Sequence, residues 1–197
     1  MRELSLHILD IVENGITAGG NCIWIEIDEA RKTDQLNIVI RDNGHGMPAE
    51  KMKNINDPFI TSRTTRRVGL GLSLLAAAAE RCDGTVRVDS QPGKGTEVKA
   101  TFRYSHIDRA PLGDIAATVT TLIIGHPEID FVYSHRIDDK DFSLDTREIR
   151  SEIEDTSLSD PVVIHHLTKS IRSALKALAS DEDNFESLEE QNGKVEN

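Results

Sequence analysis

Cysteine is scarce in this sequence, and long apolar runs are missing from it. Cys22 and Cys82 are the only cysteines among 197 residues. Two cysteines at this separation provide neither a disulfide framework nor a metal-binding spacing, so they predict free thiols in a reducing, cytoplasmic compartment. No apolar run approaches the roughly 18 residues that span a membrane, and no signal peptide opens the chain. We therefore expect no membrane association.

Positive charge is also in deficit. The chain carries 34 acidic and 23 basic side chains, which gives a net charge of −11. A surface of this sign repels a phosphate backbone, which argues against nucleic acid as a partner. Part of the excess lies in residues 181–197, which are acidic and poor in apolar side chains. This composition predicts a disordered acidic tail.

The first hundred residues alternate between helical and strand patterns. A helix is predicted from about residue 3 to Ala18, and Gly19 follows as its end. Two strands follow, over "CIWIEIDE" and "LNIVIRD". A short helix is predicted over "PAEKMKNI", an irregular basic loop over "DPFITSRTTRRV" and a second long helix over "GLGLSLLAAAAERC". The last segment, "TVRVDSQPGKGTEVKATF", predicts a pair of strands. This order predicts an α+β fold, a two-layer α/β sandwich whose mixed, mainly antiparallel sheet carries helices on one face.

The pattern changes after Phe102. Residues 104–180 predict a C-terminal extension, with a helix, a hairpin around Asp138 and Asp139, a short polar helix and a final amphipathic helix. The apolar arc of the final helix spans about 120° and offers a surface for a homodimer; it contains Val163, Leu167, Ile171, Ala174, Leu175 and Leu178. We expect three parts: a domain over 1–103, the extension over 104–180 and the tail over 181–197.

A glycine-rich turn, "RDNGHGM", follows the second predicted strand. Asp42 ends the strand, and Gly44 and Gly46 come directly after it. Glycine lets the backbone approach a ligand closely, and a carboxylate accepts from an exocyclic amine or a ribose hydroxyl. An ordinary turn would use the same residues, so this motif alone leaves both readings open.

A second glycine motif, "RRVGLGLSLL", stands at the start of a predicted helix. Free backbone N–H groups and the helix dipole favour an anion near Gly69 and Gly71. The hydroxyl and guanidinium groups of residues 64–67 would add to that preference. The spacing fits neither a Walker P-loop nor a three-glycine dinucleotide motif.

Two polar residues, Asp10 and Asn14, stand four positions apart in the first predicted helix. Residues at this spacing share a helix face. An asparagine carbonyl is an oxygen ligand of the kind that Mg²⁺ accepts, and a neighbouring carboxylate can orient or deprotonate a nucleophile. Two side chains that only satisfy each other would show the same spacing.

Taken together, the segments resemble the Bergerat ATP-binding fold of the GHKL superfamily. The resemblance rests on "LDIVENGITAG", "DNGHGM", "DPF", "GLGLSLL" and "GKGTEV", in the family order, and it covers roughly residues 3–103. The superfamily joins type II topoisomerases, heat-shock chaperones, histidine kinases and MutL-type mismatch-repair proteins. The resemblance implies a histidine kinase-like ATPase domain that binds ATP with Mg²⁺.

The resemblance also implies roles for single residues. Asn14 matches a magnesium-binding asparagine, and Asp42 matches the aspartate that accepts from the adenine amino group. Thr96 matches a threonine that supports adenine recognition, often through water. Gly44, Gly46 and Met47 would shape the base pocket. Phe59 matches the phenylalanine that precedes the ATP lid, and the second glycine motif would contact the phosphates through Gly69, Leu70 and Gly71. Arg66 and Arg67, with Arg63, are candidates for the γ-phosphate, and the sequence does not choose among them.

Asp10 departs from the histidine-kinase pattern, in which asparagine usually stands at this position. Hydrolysing branches and anti-sigma serine kinases carry glutamate there. Aspartate keeps the charge on a side chain one methylene shorter. The resemblance therefore implies that Asp10 is the catalytic residue that acts on the nucleophile, either water or a hydroxyl.

Two functions of different classes follow from the resemblance. One is a stand-alone protein kinase or phosphotransferase in signal transduction, which moves the γ-phosphate of ATP to a partner protein. The other is an ATP-dependent regulatory module, an anti-sigma-like switch with slow hydrolysis. We expect no complete sensor kinase, because no phosphoacceptor helix precedes Leu4. His165 and His166 are interpreted as surface residues of the last helix.

Overall fold

The computed structural model describes residues 3–48, 50, 70–153 and 156–180. In this part of the chain the helices are α1 (Leu4–Thr17), α2 (Leu70–Glu80), α3 (Ile115–Gly125), α4 (Thr146–Glu152) and α5 (Pro161–Ala179). The strands are β1 (Cys22–Ala30), β2 (Gln35–Asp42), β3 (Thr85–Gln91), β4 (Gly95–Arg103), β5 (Asp130–Ile137) and β6 (Lys140–Asp145). None of these helices combines the length and the apolarity that crossing a bilayer demands.

The six strands form one sheet in the order β3-β4-β2-β1-β5-β6. Every neighbouring pair is antiparallel except β1 and β5, which run parallel. The parallel pair follows from the long α3-containing connection, since only a crossover can bring the chain back in the same direction. The predicted α+β fold with a mixed, mainly antiparallel sheet is confirmed.

One face of the sheet carries the core. Apolar side chains alternate along the two central strands, with Ile23, Ile25 and Ile27 on β1 and Leu36, Ile38 and Ile40 on β2, all buried. Helix α1 covers this face with Leu4, Ile8, Ile11 and Val12, which are buried as well. Burial of each such side chain contributes about 1.5–3 kcal/mol before the entropy of ordering is subtracted. The outward face of α1 carries Leu6, Asp10 and Glu13, which are exposed.

Residues 104–180 continue the same sheet. Strand β5 pairs with β1 along its length, and β6 pairs with β5. The turn between them contains Asp138 at φ 51°, a left-handed conformation that aspartate tolerates better than most residues. Helix α5 packs on α3, β5 and β6 and buries Ile171 fully. The elements expected here are present, while the boundary between domain and extension stays a prediction.

Several sequence expectations fall outside the described residues. They are most of the short helix over 48–55, the basic loop over 57–68 and the acidic tail over 181–197. What the structure does position is the edge where β2 and β4 meet α1 and α2, and the candidate residues gather there.

Candidate nucleotide site

Asp42 is the last residue of β2 and lies between two strands. Its register partners are Ile23 on β1 and Thr96 on β4. The backbone N–H of Gly44 donates to Asp42 Oδ1 at 2.9 Å, and the backbone of Thr96 also bonds to this carboxyl. Burial raises the pKa of Asp42, and the two backbone donors oppose the shift without cancelling it. The carboxyl is therefore a half-buried acceptor with oxygen lone pairs left for a ligand.

Small residues bring α1 and its following turn against Asp42. A Cβ atom placed on Gly15 would stand 2.9 Å from the Cβ of Asp42. A Cβ on Gly44 would stand 2.6 Å from the carbonyl oxygen of Ala18. Both distances are shorter than carbon and oxygen atoms tolerate. The close approach of helix and turn therefore depends on glycine at these two positions.

The turn after Asp42 is fastened to the hairpin between β3 and β4. Gly46 has φ 65°, and a Cβ there would lie 2.0 Å from the carbonyl oxygen of Gln91. The backbone N–H of Gly93 donates to the carbonyl of His45 at 2.8 Å. The backbone N–H of Met47 donates to Ser90 Oγ at 2.8 Å. The hairpin thus holds two of the predicted base-pocket residues, Gly46 and Met47, in place.

Asn43 joins the same edge to β1. Its Oδ1 accepts from the backbone N–H of Asn21 at 2.9 Å and from that of Cys22 at 3.0 Å. Its Nδ2 donates to the side-chain oxygen of Asn21 at 2.6 Å. Sequence reasoning gave Asn43 no role, although an asparagine inside a glycine-rich turn is itself a signal for a side chain that bonds the backbone.

Asp10 and Asn14 lie one turn apart on the same flank of α1. Asp10 is exposed and Asn14 is half-buried. A Cβ placed on Gly71 would stand 3.0 Å from the Cβ of Asp10 and 3.2 Å from its Oδ2. The structure therefore brings Asp10 against the first turn of α2. Within the described residues, no hydrogen bond involves the side chain of Asn14, so its amide keeps its full bonding capacity there.

A buried histidine, which sequence reasoning missed, lies beside this contact. His7 is 3% exposed, and it bonds to the backbone of Gly71. Its Nδ1 has no hydrogen-bond partner in the described part of the chain. Burial lowers the pKa of His7, and the charge of Asp10 opposes this shift without cancelling it. The signal in the sequence was its spacing, since Leu4, His7, Ile8 and Ile11 form one helical stripe.

The structure places some predicted residues and leaves others out. Asp42 and Thr96 come together, and so do Asp10 and Gly71. Leu70 begins α2, and only its backbone is described. Phe59, Arg66, Arg67 and Gly69, together with Arg63, lie outside the described residues. His165 and His166 are exposed on α5 with ring centroids 6.0 Å apart.

The side chains near the candidate site limit how a metal ion could be coordinated there. The described residues contain no group of three or more His, Cys, Asp or Glu side chains that could hold a metal ion by themselves. Mg²⁺ at a nucleotide site typically takes one or two protein oxygens, and phosphate and water supply the rest. The half-buried amide of Asn14, which has no hydrogen-bond partner among the described residues, fits that limited protein share.

Known proteins resemble this chain in the same region. The family model for "Histidine kinase-, DNA gyrase B-, and HSP90-like ATPase" matches residues 2–106. Sporulation kinase C of Bacillus subtilis (strain 168) is 32% identical over 94 residues, which cover 48% of this chain and 22% of the kinase. Sporulation kinase E of the same organism is 35% identical over 103 residues, which cover 51% of this chain and 14% of that kinase. The match thus spans less than a quarter of either kinase.

A solved structure shares the fold. The N-terminal domain of a DNA repair protein aligns with a TM-score of 0.52 at 15% identity, covering 74% of this chain and 53% of that one. At this identity the likeness concerns the fold alone. The family model, however, matches residues 2–106, which is more than half of the 197-residue chain. This chain belongs to the family of histidine kinase-, DNA gyrase B- and HSP90-like ATPases and contains the ATP-binding, kinase-like ATPase domain of that family, which the family model matches at residues 2–106.

Proposed function

We propose that this chain binds Mg·ATP and transfers the γ-phosphate to a partner protein. The supporting observation is that α1 contacts both halves of the candidate site. Gly15 packs against Asp42, and Asp10 packs against Gly71. Because a helix rises 1.5 Å per residue, these contacts lie about 7.5 Å apart along the axis. One rigid helix therefore fixes the spacing between the carboxylate for the base and the helix start for the phosphates.

The base end selects adenine through hydrogen-bond polarity. The ionised Asp42 carboxylate can only accept, so it pairs with the amino group of adenine and opposes the carbonyl of guanine. The carboxylate is held in place by the backbone donors of Gly44 and Thr96. An acceptor that faces another acceptor costs about 1–3 kcal/mol, or roughly ten- to a hundredfold in affinity.

The phosphate end combines a helix start with Asn14 and Asp10. The first turn of α2 presents backbone N–H groups, and its dipole favours an anion. Asn14 would supply one oxygen to Mg²⁺, which neutralises phosphate charge when it is bound. Asp10 would accept the proton of the attacking hydroxyl or water, and the bond from the γ-phosphorus to the leaving oxygen would break as the new one forms.

The relatives that resemble this chain favour a kinase. Both sporulation kinases match this chain across the ATP-binding domain. A role in signal transduction and a cytoplasmic location belong to the same proposal. A homodimer through α5 stays a prediction. The apolar side of α5 packs within the chain, so this packing does not support that prediction.

One observation favours a second function, an ATP-dependent switch that hydrolyses slowly. Asp10 is a carboxylate where histidine kinases usually carry asparagine, and it lies exposed beside α2. A carboxylate at this place can activate water as readily as a hydroxyl. In this case the nucleotide state would change the affinity for a partner, and hydrolysis would reset it.

Transfer of label from γ-³²P-ATP separates the two functions. The full chain is incubated with native lysate and with buffer, and both protein-bound label and free phosphate are counted. A discrete labelled protein supports the kinase, whereas free phosphate alone supports the switch. Asp10→Asn removes the charge in a nearly isosteric side chain, so the turnover that depends on it should fall by about 10²–10⁴-fold. Unchanged turnover in both assays would end the catalytic assignment of Asp10.

A further inference from the structure

Ser90, on the edge strand β3, joins three groups at the candidate base pocket. Its Oγ accepts from the backbone N–H of Met47 at 2.8 Å. The same oxygen lies 3.0 Å from the carbonyl oxygen of Gly95 and 2.9 Å from Thr96 Oγ1. Ser90, Thr96 and Asp42 are consecutive register partners across three strands, so their side chains share one face of the sheet.

The number of protons limits how these contacts can be made. A serine hydroxyl has one proton and two lone pairs. The bond from Met47 uses one lone pair, and the carbonyl of Gly95 can only accept. All three contacts are satisfied together when Ser90 donates to Gly95 and accepts from the hydroxyl of Thr96. In that arrangement Thr96 has spent its only proton on Ser90, and its oxygen can only accept from a third group.

We propose that Ser90 is a positioning residue for base selection, which holds Thr96 Oγ1 as a second acceptor beside Asp42. The inference rests on the proposed nucleotide function of this pocket. Two acceptors in one row favour a base with a 6-amino group, either directly or through a water molecule that donates to Thr96. They disfavour a base that presents a carbonyl there.

Loss of the Ser90 hydroxyl should therefore change the selectivity of the pocket. In Ser90→Ala the hydroxyl of Thr96 is released and can rotate to donate toward a ligand. Inosine triphosphate (ITP) is the appropriate probe, because its base carries a 6-carbonyl and lacks the 2-amino group of guanine. We expect the ratio of ATP to ITP affinity to fall by about tenfold, the equivalent of one redirected hydrogen bond.

Calorimetric titration of the full chain with ATP and with ITP tests this inference. Ser90→Thr keeps a hydroxyl and should keep the wild-type ratio, whereas Thr96→Val should reproduce the loss. The double variant should lose no more than either single one, because both changes remove one interaction. Ser105→Ala is the matched control, since Ser105 Oγ donates to Asp34 at 2.9 Å in another hydrogen-bonded cluster.

The outcomes separate this inference from the function on which it rests. A wild-type chain that binds ATP and ITP equally overturns the proposed base pocket and this inference together. A wild-type preference for ATP that survives in Ser90→Ala overturns only the role of Ser90. Equal weakening of both nucleotides in Ser90→Ala also overturns it, because a merely structural serine would weaken both. A reduced ratio in Ser90→Ala, restored in Ser90→Thr, supports it.

Discussion

Replacement of Gly71 by alanine should lower the rate of ATP turnover without lowering the stability of the fold. Gly71 is the second residue of α2, and a Cβ there would stand 3.0 Å from the Cβ of Asp10. Ordinary carbon–carbon contacts lie at about 3.5–4.0 Å. Asp10 must therefore retreat by about half an ångström, and it can do so because its side chain is exposed.

The two consequences of Gly71→Ala differ in sign. Alanine is favoured over glycine inside a helix by up to about 1 kcal/mol, so the free energy of unfolding should stay unchanged or rise slightly. For a chain of this size, 1 kcal/mol corresponds to about 2–4 °C in melting temperature. Catalysis should suffer, since a misplacement of about 1 Å can cost 10²-fold in rate. A shift of half that size predicts a loss of about tenfold in ATP turnover.

Phosphate release and thermal melting are measured on the same preparation. Gly125→Ala is the matched control, because Gly125 ends helix α3 and a Cβ there would meet no atom within 4 Å. The control should keep full turnover. Equal turnover in the two variants would refute the argument that Gly71 sets the position of Asp10. A melting temperature lowered by more than a few degrees would instead show that Asp10 cannot yield.

Three further predictions concern single side chains. Burial raises the pKa of Asp42, so the folded state disfavours the charged form of this carboxyl. Asp42→Asn should therefore raise the melting temperature at neutral pH, while calorimetry should detect no ATP binding. A lower melting temperature would contradict this prediction. Asn14→Ala should weaken Mg·ATP binding about tenfold and leave adenosine binding intact, whereas an equal loss of both would make Asn14 structural. Burial lowers the pKa of His7 below 6.5, so the unfolded chain takes up a proton at a higher pH than the folded chain does. The free energy of unfolding should therefore fall as the pH drops through 6.5. The dependence of this free energy on pH should be smaller in His7→Gln.

Much of the fold was predictable because it depends on local patterns. Alternation along β1 and β2 predicted both strands, and Gly19 marked the end of α1 at φ 79°. The join between β5 and β1 was not predictable, because parallel pairing links residues more than a hundred positions apart. No local preference encodes such a partner. The predicted extension therefore appeared separate in the sequence, although it completes the sheet.

Residues of the candidate site could be predicted where they belong to a sequence motif, and only in part elsewhere. Asp42 and Gly71 stand in glycine motifs and were expected at a ligand site. Ser90 and His7 belong to no motif, and their importance comes from neighbours contributed by other segments. Ser90 acquires its role only when the turn, the hairpin and β4 meet at one oxygen. A sequence gives the order of residues, while a hydrogen-bond network depends on which segments come together.

A general rule nevertheless links these polar residues to the sequence. Along β2 the apolar row Ile38 and Ile40 ends in Asp42, and along β3 the row Val86 and Val88 ends in Ser90. The row on β2 is buried and the row on β3 is half-buried. A polar side chain that continues such an apolar row favours a partner or a ligand, because an unpaired polar group is costly where water is excluded. Asp42 on β2 and Ser90 on β3 both end such rows, and both strands pair with β4. Two polar side chains in this arrangement therefore indicate a candidate ligand site.

The same rule shows where structure is needed to decide. At the end of β1 that lies away from Asp42, the inward-facing row of β1 ends in Glu29, and the neighbouring strand β5 carries Tyr133 and His135 in its buried row. There the groups satisfy one another: His135 Nε2 lies 2.8 Å from Glu29 Oε1, and its Nδ1 lies 2.8 Å from the hydroxyl of Tyr133. Asp42 differs, because backbone donors leave part of its bonding capacity unused. A polar side chain at the end of an apolar row becomes a candidate ligand site when its neighbours leave some of its donors or acceptors without a hydrogen bond.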